Sequence, residues 1–179
     1  SYTTFEQTLN SVAESNGVVT VGVTVTNKGN TAGKDVVEVY YNPPYTNGGI
    51  EKASANLIDF AKTDILEPGA SENVQITFNT EDMASYDAHG KGCYVLEAGD
   101  YVISINSDSH TVIDSKTINV GSEVVYDANN ARSTDAVAAT NEFADAEGNV
   151  TYLSRADGFA NYAEATAAPA SMTMPAEYK

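Results

Sequence analysis

"VTVTNKGNTAGKDVVEVYYNPP", Val23 to Pro44, alternates apolar and polar residues, breaks at a glycine-bearing turn, and alternates again. The alternation begins a little earlier, at Val18. Val19, Val21, Val23 and Val25 fall on one face of an extended chain; Thr20, Gly22, Thr24 and Thr26 fall on the other. Successive side chains of a strand point to opposite sides, so this spacing predicts a strand with one buried face. "NKGNTAGK" supplies Asn and Gly, which tolerate the positive φ that turns need. "DVVEVYY" then resumes as a strand, with Val37, Val39 and Tyr41 on one face.

The same pattern recurs downstream. "LIDFAKTDIL" ends in Glu67-Pro68-Gly69, where Pro presets φ and Gly relaxes the corner. "NVQITF" places Val74, Ile76 and Phe78 inward and Asn73, Gln75 and Thr77 outward. "TEDMASY" reads as one short helical turn capped by Thr80, with acids in its first turn. "CYVLEAGDYVISI" reads as two strands joined in a hairpin at Glu97-Ala98-Gly99-Asp100, and "HTVIDSKTINV" completes the set. About seven short strands separated by turn signals predict an all-β, immunoglobulin or fibronectin type III-like β-sandwich over residues 1–120. After Gly121 the chain turns rich in Ala, Asp, Asn and Thr. "STDAVAATNEF" predicts a short helix capped by Ser133 or Thr134. Residues 121–179 are otherwise expected to be an extended, partly helical tail that lies on another surface or links to another domain.

The 179 residues include 9 Lys and Arg against 25 Asp and Glu, a net charge of −16. That balance disfavours nucleic acid, whose phosphates need basic side chains, and anionic membrane surfaces. No apolar run approaches the ~20 residues of a membrane span. The first residues, Ser1 to Phe5, have neither the basic end nor the apolar stretch of a secretion signal. A cytoplasmic bacterial protein is the expectation, with Ser1 lying inside a longer chain.

Several groups can be weighed as chemistry. Cys93, the single cysteine, rules out an internal disulfide and reads as a small buried strand residue. His89 and His110 lie in separate turns, too isolated for a metal site. The acids around Asp108 lack the spacing and glycine of a calcium loop. Glu81 and Asp82 read as acids at a helix start. Asn149-Val150-Thr151 fits a glycosylation sequon and is read as chance. No catalytic residue, metal or cofactor is assigned. The loop "YYNPPYTNGGIEK" carries more interest: Tyr40 and Tyr45 can stack on sugar rings or pack at a domain interface, and Asn47 can bond hydroxyls.

The order of these motifs resembles the fibronectin type III-like domain of glycoside hydrolase family 3 enzymes, the β-glucosidases. "SYTTFE" resembles its opening strand, and "VTVTNKGNTAGKDVVEVYY" its central hairpin. "IEKASANLIDFAKTDILEPGASENVQITF", "EDMASYD" and "YVLEAGDYVISI" resemble its next strands, its short helix and its final hairpin, so the likeness spans about Ser1 to Ser107. There are departures: where relatives carry Arg-Pro and then Lys, this chain has Lys52-Ala53 and Ala55, and Asp59 replaces a Gly before Phe60. The tail from Val124 resembles the bridge that, in a subgroup with rearranged domain order, leads from this domain into the catalytic barrel. The barrel's Ser-Asp-Trp nucleophile motif is absent, since the chain has no Trp. The resemblance therefore implies a non-catalytic scaffold domain of a β-glucosidase, without enzyme activity of its own. Its implied partners are the α/β sandwich and TIM barrel of the parent chain, with a homo-oligomer left open. Tyr152, Phe159 and Tyr162 in the tail are then expected to dock on a neighbouring domain. The alternative is a carbohydrate-binding module with sugar contacts around the Tyr40–Lys52 loop.

Overall fold

The computed structural model describes residues 2–168, 173, 174 and 176–178. The chain forms two compact units, Ser1–Asn141 and Glu142–Lys179.

In the first unit the strands are β1 (Phe5–Ser15), β2 (Val18–Asn27), β3 (Val36–Asn42), β4 (Asn56–Lys62), β5 (Ser71–Asn79), β6 (Ser85–Tyr86), β7 (Tyr94–Leu96), β8 (Gly99–Asn106), β9 (Val112–Val120) and β10 (Val124–Tyr126). They make two main antiparallel sheets, ordered β1-β2-β5 and β4-β3-β8-β9, and a small third sheet ordered β10-β7-β6. The period-two pattern explains the layering. Val19, Val21, Val23 and Val25 of β2 meet Val37 and Val39 of β3, Ile76 and Phe78 of β5, and Tyr101, Ile103 and Ile105 of β8 in one core. The third sheet adds Leu96 and Tyr126 to that core. The outward row of β2 is a polar ladder: Thr24 accepts from Asn10 Nδ2 at 2.7 Å and donates to Asn73 at 2.8 Å, and Thr26 bonds Ser71 at 2.7 Å.

Three sequence-based expectations need correction. Residues 94–106 do not form a hairpin. β7 pairs with β10 and β6, whereas β8 pairs with β3 and β9. The chain changes sheets at the corner, where Gly99 holds φ +135° and a Cβ would lie 3.2 Å from Pro44 Cβ. Only glycine satisfies both demands. The turn at Thr80–Met83 is a 3-10 turn preceded by Asn79 rather than capped by Thr80, and the Asn79 N–H donates to the Asp82 carboxylate at 3.0 Å. Residues 133–143 form turns and no helix. Side-chain bonds divert them: the Ser133 N–H donates to both Glu81 oxygens at 3.1 Å, and the Arg132 guanidinium donates to Asp135 at 2.8 Å. The first unit also runs past 120, because β10 adds to β7 with Val125 opposite Val95.

Asn27, at the end of β2, is fully buried and ties three other segments to that strand. Its Oδ1 accepts from Thr3 Oγ1 at 2.8 Å and from the Gly29 N–H at 3.0 Å. Its Nδ2 donates to the carbonyls of Thr31 and Leu66, both at 2.8 Å. Gly29 sits so tightly in this knot that a Cβ would lie 2.0 Å from Thr3 Oγ1 and 2.8 Å from the Thr4 N.

In the second unit, 3-10 turns at Ala144–Ala146 and Ala176–Tyr178 flank the single-turn helix α1 (Tyr162–Ala165).

Replacing Asn27 by leucine keeps volume but removes four side-chain hydrogen bonds, although the Leu66 carbonyl and the Gly29 N–H each keep a backbone partner. A net bond is worth about 0.5–1.5 kcal/mol, so Asn27→Leu should lose about 2–4 kcal/mol. Urea unfolding checks this, and a loss below about 1 kcal/mol would show that the knot contributes little.

Candidate functional site

The residues singled out in the loop after β3 do not converge. Opposite Val39 and Tyr40 the register shifts because β4 skips Ile58, while β3 itself keeps its alternation. Tyr41 packs against the core, and Tyr40 lies on the opposite face of the sheet, opposite Ser104 of β8. The Tyr40 hydroxyl donates to Glu38 Oε2 at 3.0 Å. Loss of hydration, then the Glu38 carboxylate, raises the Tyr40 pKa above the usual tyrosine value. Tyr45 is half-buried with its hydroxyl enclosed. Asn47 is exposed at the tip of a tight turn in which the Gly49 N–H donates to the Thr46 carbonyl at 2.9 Å.

Lys52 was legible only as a departure from the family pattern, yet it fixes this loop. Its side chain is 2% exposed. The ammonium donates to the Pro44 carbonyl at 2.7 Å and pairs with the Glu97 carboxylate. Tyr101 continues the cluster, donating its hydroxyl to the Glu97 carbonyl at 3.0 Å. Burial foremost, then the Glu97 charge, pushes the Tyr101 pKa far up. Loop, sheet-switching corner and core are thereby joined at one end of the sandwich.

The third sheet carries a second cluster, on Tyr86 of β6 and Tyr94 of β7. Arg132 stacks over Tyr94 with its guanidinium carbon 3.7 Å from the ring centroid. Tyr86 meets Tyr94 edge-on, with ring centroids 5.4 Å apart. Asp135 binds Arg132 through two oxygens at 2.8 and 3.3 Å and raises its pKa. Cation–π stacking of this kind holds a loop in place without any apolar burial. Residues 127–135 therefore leave the sandwich in a fixed course.

A third feature is a cleft of about 280 Å³ on the outer face of the β4-β3-β8-β9 sheet. Tyr40, Ser104, Asn106, His110, Val112 and Ser115 are among its lining residues. Asn106 and Ser115 carry no motif, so nothing in the sequence marks them.

The other candidates stand apart from these clusters. Cys93 is buried, and burial pushes its thiol pKa up, away from the thiolate a nucleophile needs. His89 is exposed in a turn. Among the described residues, no three His, Cys, Asp or Glu side chains gather to hold a metal ion, and no helix is long and apolar enough to cross a membrane. Within the second unit, Tyr152, Phe159 and Tyr162 are 58%, 48% and 60% exposed.

Comparison with known proteins gives these features a context. Residues 35–109 match the family described as fibronectin type III-like domain. The chain is 44% identical over 86 residues to β-glucosidase A of Butyrivibrio fibrisolvens, matching 46% of this chain and 10% of that protein. It is 30% identical over 127 residues to a β-glucosidase of Kluyveromyces marxianus, matching 70% of this chain and 15% of that protein. Among solved structures, β-glucosidase 3B from Thermotoga neapolitana in complex with α-D-glucose superposes with a TM-score of 0.64 at 34% identity. That match covers 70% of this chain and 17% of the other. The chain thus spans a small fraction of the length of the relatives it matches.

The Tyr101 environment gives a pH prediction. Its folded pKa lies above the unfolded value of ~10, so its contribution is complete below pH ~10 and is lost as pH rises above it. Tyr101→Phe loses one hydrogen bond, about 1 kcal/mol at neutral pH. The gap to the native chain should narrow with alkalinity. Urea unfolding at about pH 7 and about pH 11 tests this; a gap that stays constant or widens contradicts it.

Proposed function

We propose, from the premise that this chain carries the fibronectin type III-like domain of glycoside hydrolase family 3 β-glucosidases, that it is a non-catalytic brace within a larger enzyme of that kind. In this reading the sandwich buries apolar surface against the catalytic domains and holds their relative position. Residues 121–179 would form the bridge from it towards a barrel domain, with Tyr152, Phe159 and Tyr162 as docking side chains. Catalytic geometry degrades with errors of ~1 Å, so a brace can control rate without touching substrate.

The observation that carries this reading is the edge strand β4. Among the described residues it pairs only with β3, and it occupies the border of its sheet. Leu57 and Phe60 on it are 52% and 63% exposed, and Ile65 just beyond it is 64% exposed. An edge strand with bare large apolar side chains invites aggregation unless something covers it. Because the chain matches only 10–17% of its relatives' length, other domains of the same parent are the natural cover. The residues between β3 and β4 support a binding module less well. Tyr40 is turned against Glu38 and Tyr45 is half-buried, which leaves Asn47 at the loop tip.

The test uses the parent chain and the 179-residue chain side by side. Leu57→Asp and Phe60→Asp are exposed positions and should change the stability of the short chain by no more than about 0.5 kcal/mol. In the parent they should lower the melting temperature and kcat for an aryl β-glucoside. The short chain by itself should not cleave that substrate. Unaltered parent stability and kinetics, or cleavage by the short chain, would overturn the brace.

A further inference from the structure

The sequence holds two Asn-Gly pairs, Asn16-Gly17 and Asn47-Gly48, and a brace calls on neither. Asn followed by Gly is chemically labile. The backbone nitrogen of the second residue can close a five-membered ring on the Asn side-chain carbon, and glycine brings no Cβ to crowd that ring. In an unfolded chain both pairs carry the same reacting groups. The fold makes them different.

Asn16-Gly17 is the tight turn between β1 and β2, where Ser15 lies opposite Val18. Asn16 holds φ +51° and Gly17 φ +79°, as the central residues of a two-residue hairpin turn do. The attacking atom is engaged, because the Gly17 N–H donates to Glu14 Oε1 at 2.7 Å. The Gly17 carbonyl accepts from the Thr80 N–H at 2.8 Å, which ties the turn to the segment after β5. Ring closure at Asn16 must break the Glu14 bond and rotate a peptide that is pinned on both sides.

Asn47-Gly48 lacks these restraints. Both residues are exposed. Among the described residues, neither the Asn47 side chain nor the Gly48 N–H has a hydrogen-bond partner. A Cβ built on Gly48 would meet nothing within 4 Å, so the ring has room to form. The loop is anchored away from its tip, where Lys52 holds the Pro44 carbonyl and Glu97. The tip can therefore change conformation without disturbing the sheets.

We propose that Asn47 is a site of spontaneous deamidation through a succinimide, and that Asn16 is protected by the fold. The Gly48 nitrogen gives its proton to solvent and bonds Asn47 Cγ. The Cγ–Nδ2 bond breaks, and Nδ2 leaves as ammonia. Water then opens the ring at either carbonyl, giving aspartate or isoaspartate. One water is consumed, one ammonia is released, and nothing is oxidised or reduced. The product adds a carboxylate to a chain of net charge −16, and the isoaspartate form lengthens the main chain at the loop tip by one methylene. The site stands whether or not the chain acts as a brace.

The test incubates the 179-residue chain in mildly alkaline buffer, native and in guanidinium chloride, and then digests it with trypsin. Cleavage after lysine separates the two asparagines into the peptides Ser1–Lys28 and Asp35–Lys52. Mass spectrometry reads the exchange of NH2 for OH in each, and enzymatic methylation of isoaspartate reads the rearranged product. In denaturant the two sites should convert at comparable rates. In the native chain Asn47 should convert at least about tenfold faster than Asn16, the rate equivalent of breaking a hydrogen bond to a carboxylate. Gly48→Ala should slow conversion at Asn47 and leave Asn16 unchanged. Equal native rates at the two sites, an Asn47 that stays intact while the denatured chain converts, or undiminished conversion in Gly48→Ala would overturn the proposal.

Discussion

One buried amide holds the loops of this sandwich in register. Sheets can be layered by hydrophobic burial alone, because burial is non-directional. Burial does not say which loop crosses which. Asn27 does, since its four side-chain bonds fix Thr3, Gly29, Thr31 and Leu66 at defined distances. Its backbone adds two more, donating to the Ala70 carbonyl at 3.0 Å and accepting from the Gly69 N–H at 2.8 Å. The start of the chain, the connection from β2 to β3 and the approach to β5 are thereby tied at one point. A fully satisfied polar group in an apolar core specifies one arrangement because any slip orphans several groups at once.

The other end of the sandwich is organised by charge. Lys52, Glu97 and Tyr101 join the long loop after β3 to the corner where β7 passes into β8. Arg132, Tyr94 and Asp135 hold the segment leaving β10. These devices limit motion at the places where the chain enters and leaves the sheets. The proposed brace would need rigidity there, more than in its middle.

The strand faces were legible because period two survives in single residues. Val19 to Val25 and Val74, Ile76 and Phe78 are buried as the alternation demands. The corner at 97–100 was not legible, because Leu-Glu-Ala-Gly-Asp offers the same turn chemistry whether the flanking strands pair or part. What separates the two outcomes is the approach of Pro44 to Gly99, a contact across 55 positions. The absent helix at 133–143 has a similar cause: Glu81 captures Ser133 from 52 residues away and overrides local propensity. Of the candidate residues, Tyr40 was legible down to its face, because the alternation that turns Val37, Val39 and Tyr41 to the core turns it outward, but its bond to Glu38 was not. Asn106 was invisible. A polar residue ending a strand is ordinary, and only the burial supplied by its neighbours makes its unbonded oxygen notable.

Charge also limits how the domain can meet a partner. Lys28, Lys52, Lys91 and Arg132 are paired with acids. The acidic excess is left on the surface, so an acidic partner would be repelled. Surface ion pairs are in any case worth little each. Docking must then draw on apolar area, and the exposed Leu57 and Phe60 lie on the border strand β4. Register puts Leu57 opposite Tyr40 and Phe60 opposite Glu38, so the apolar side chains of β4 share one sheet face with Ser104 of β8. A partner that covered them would bury apolar area beside neutral polar groups and meet few fixed charges.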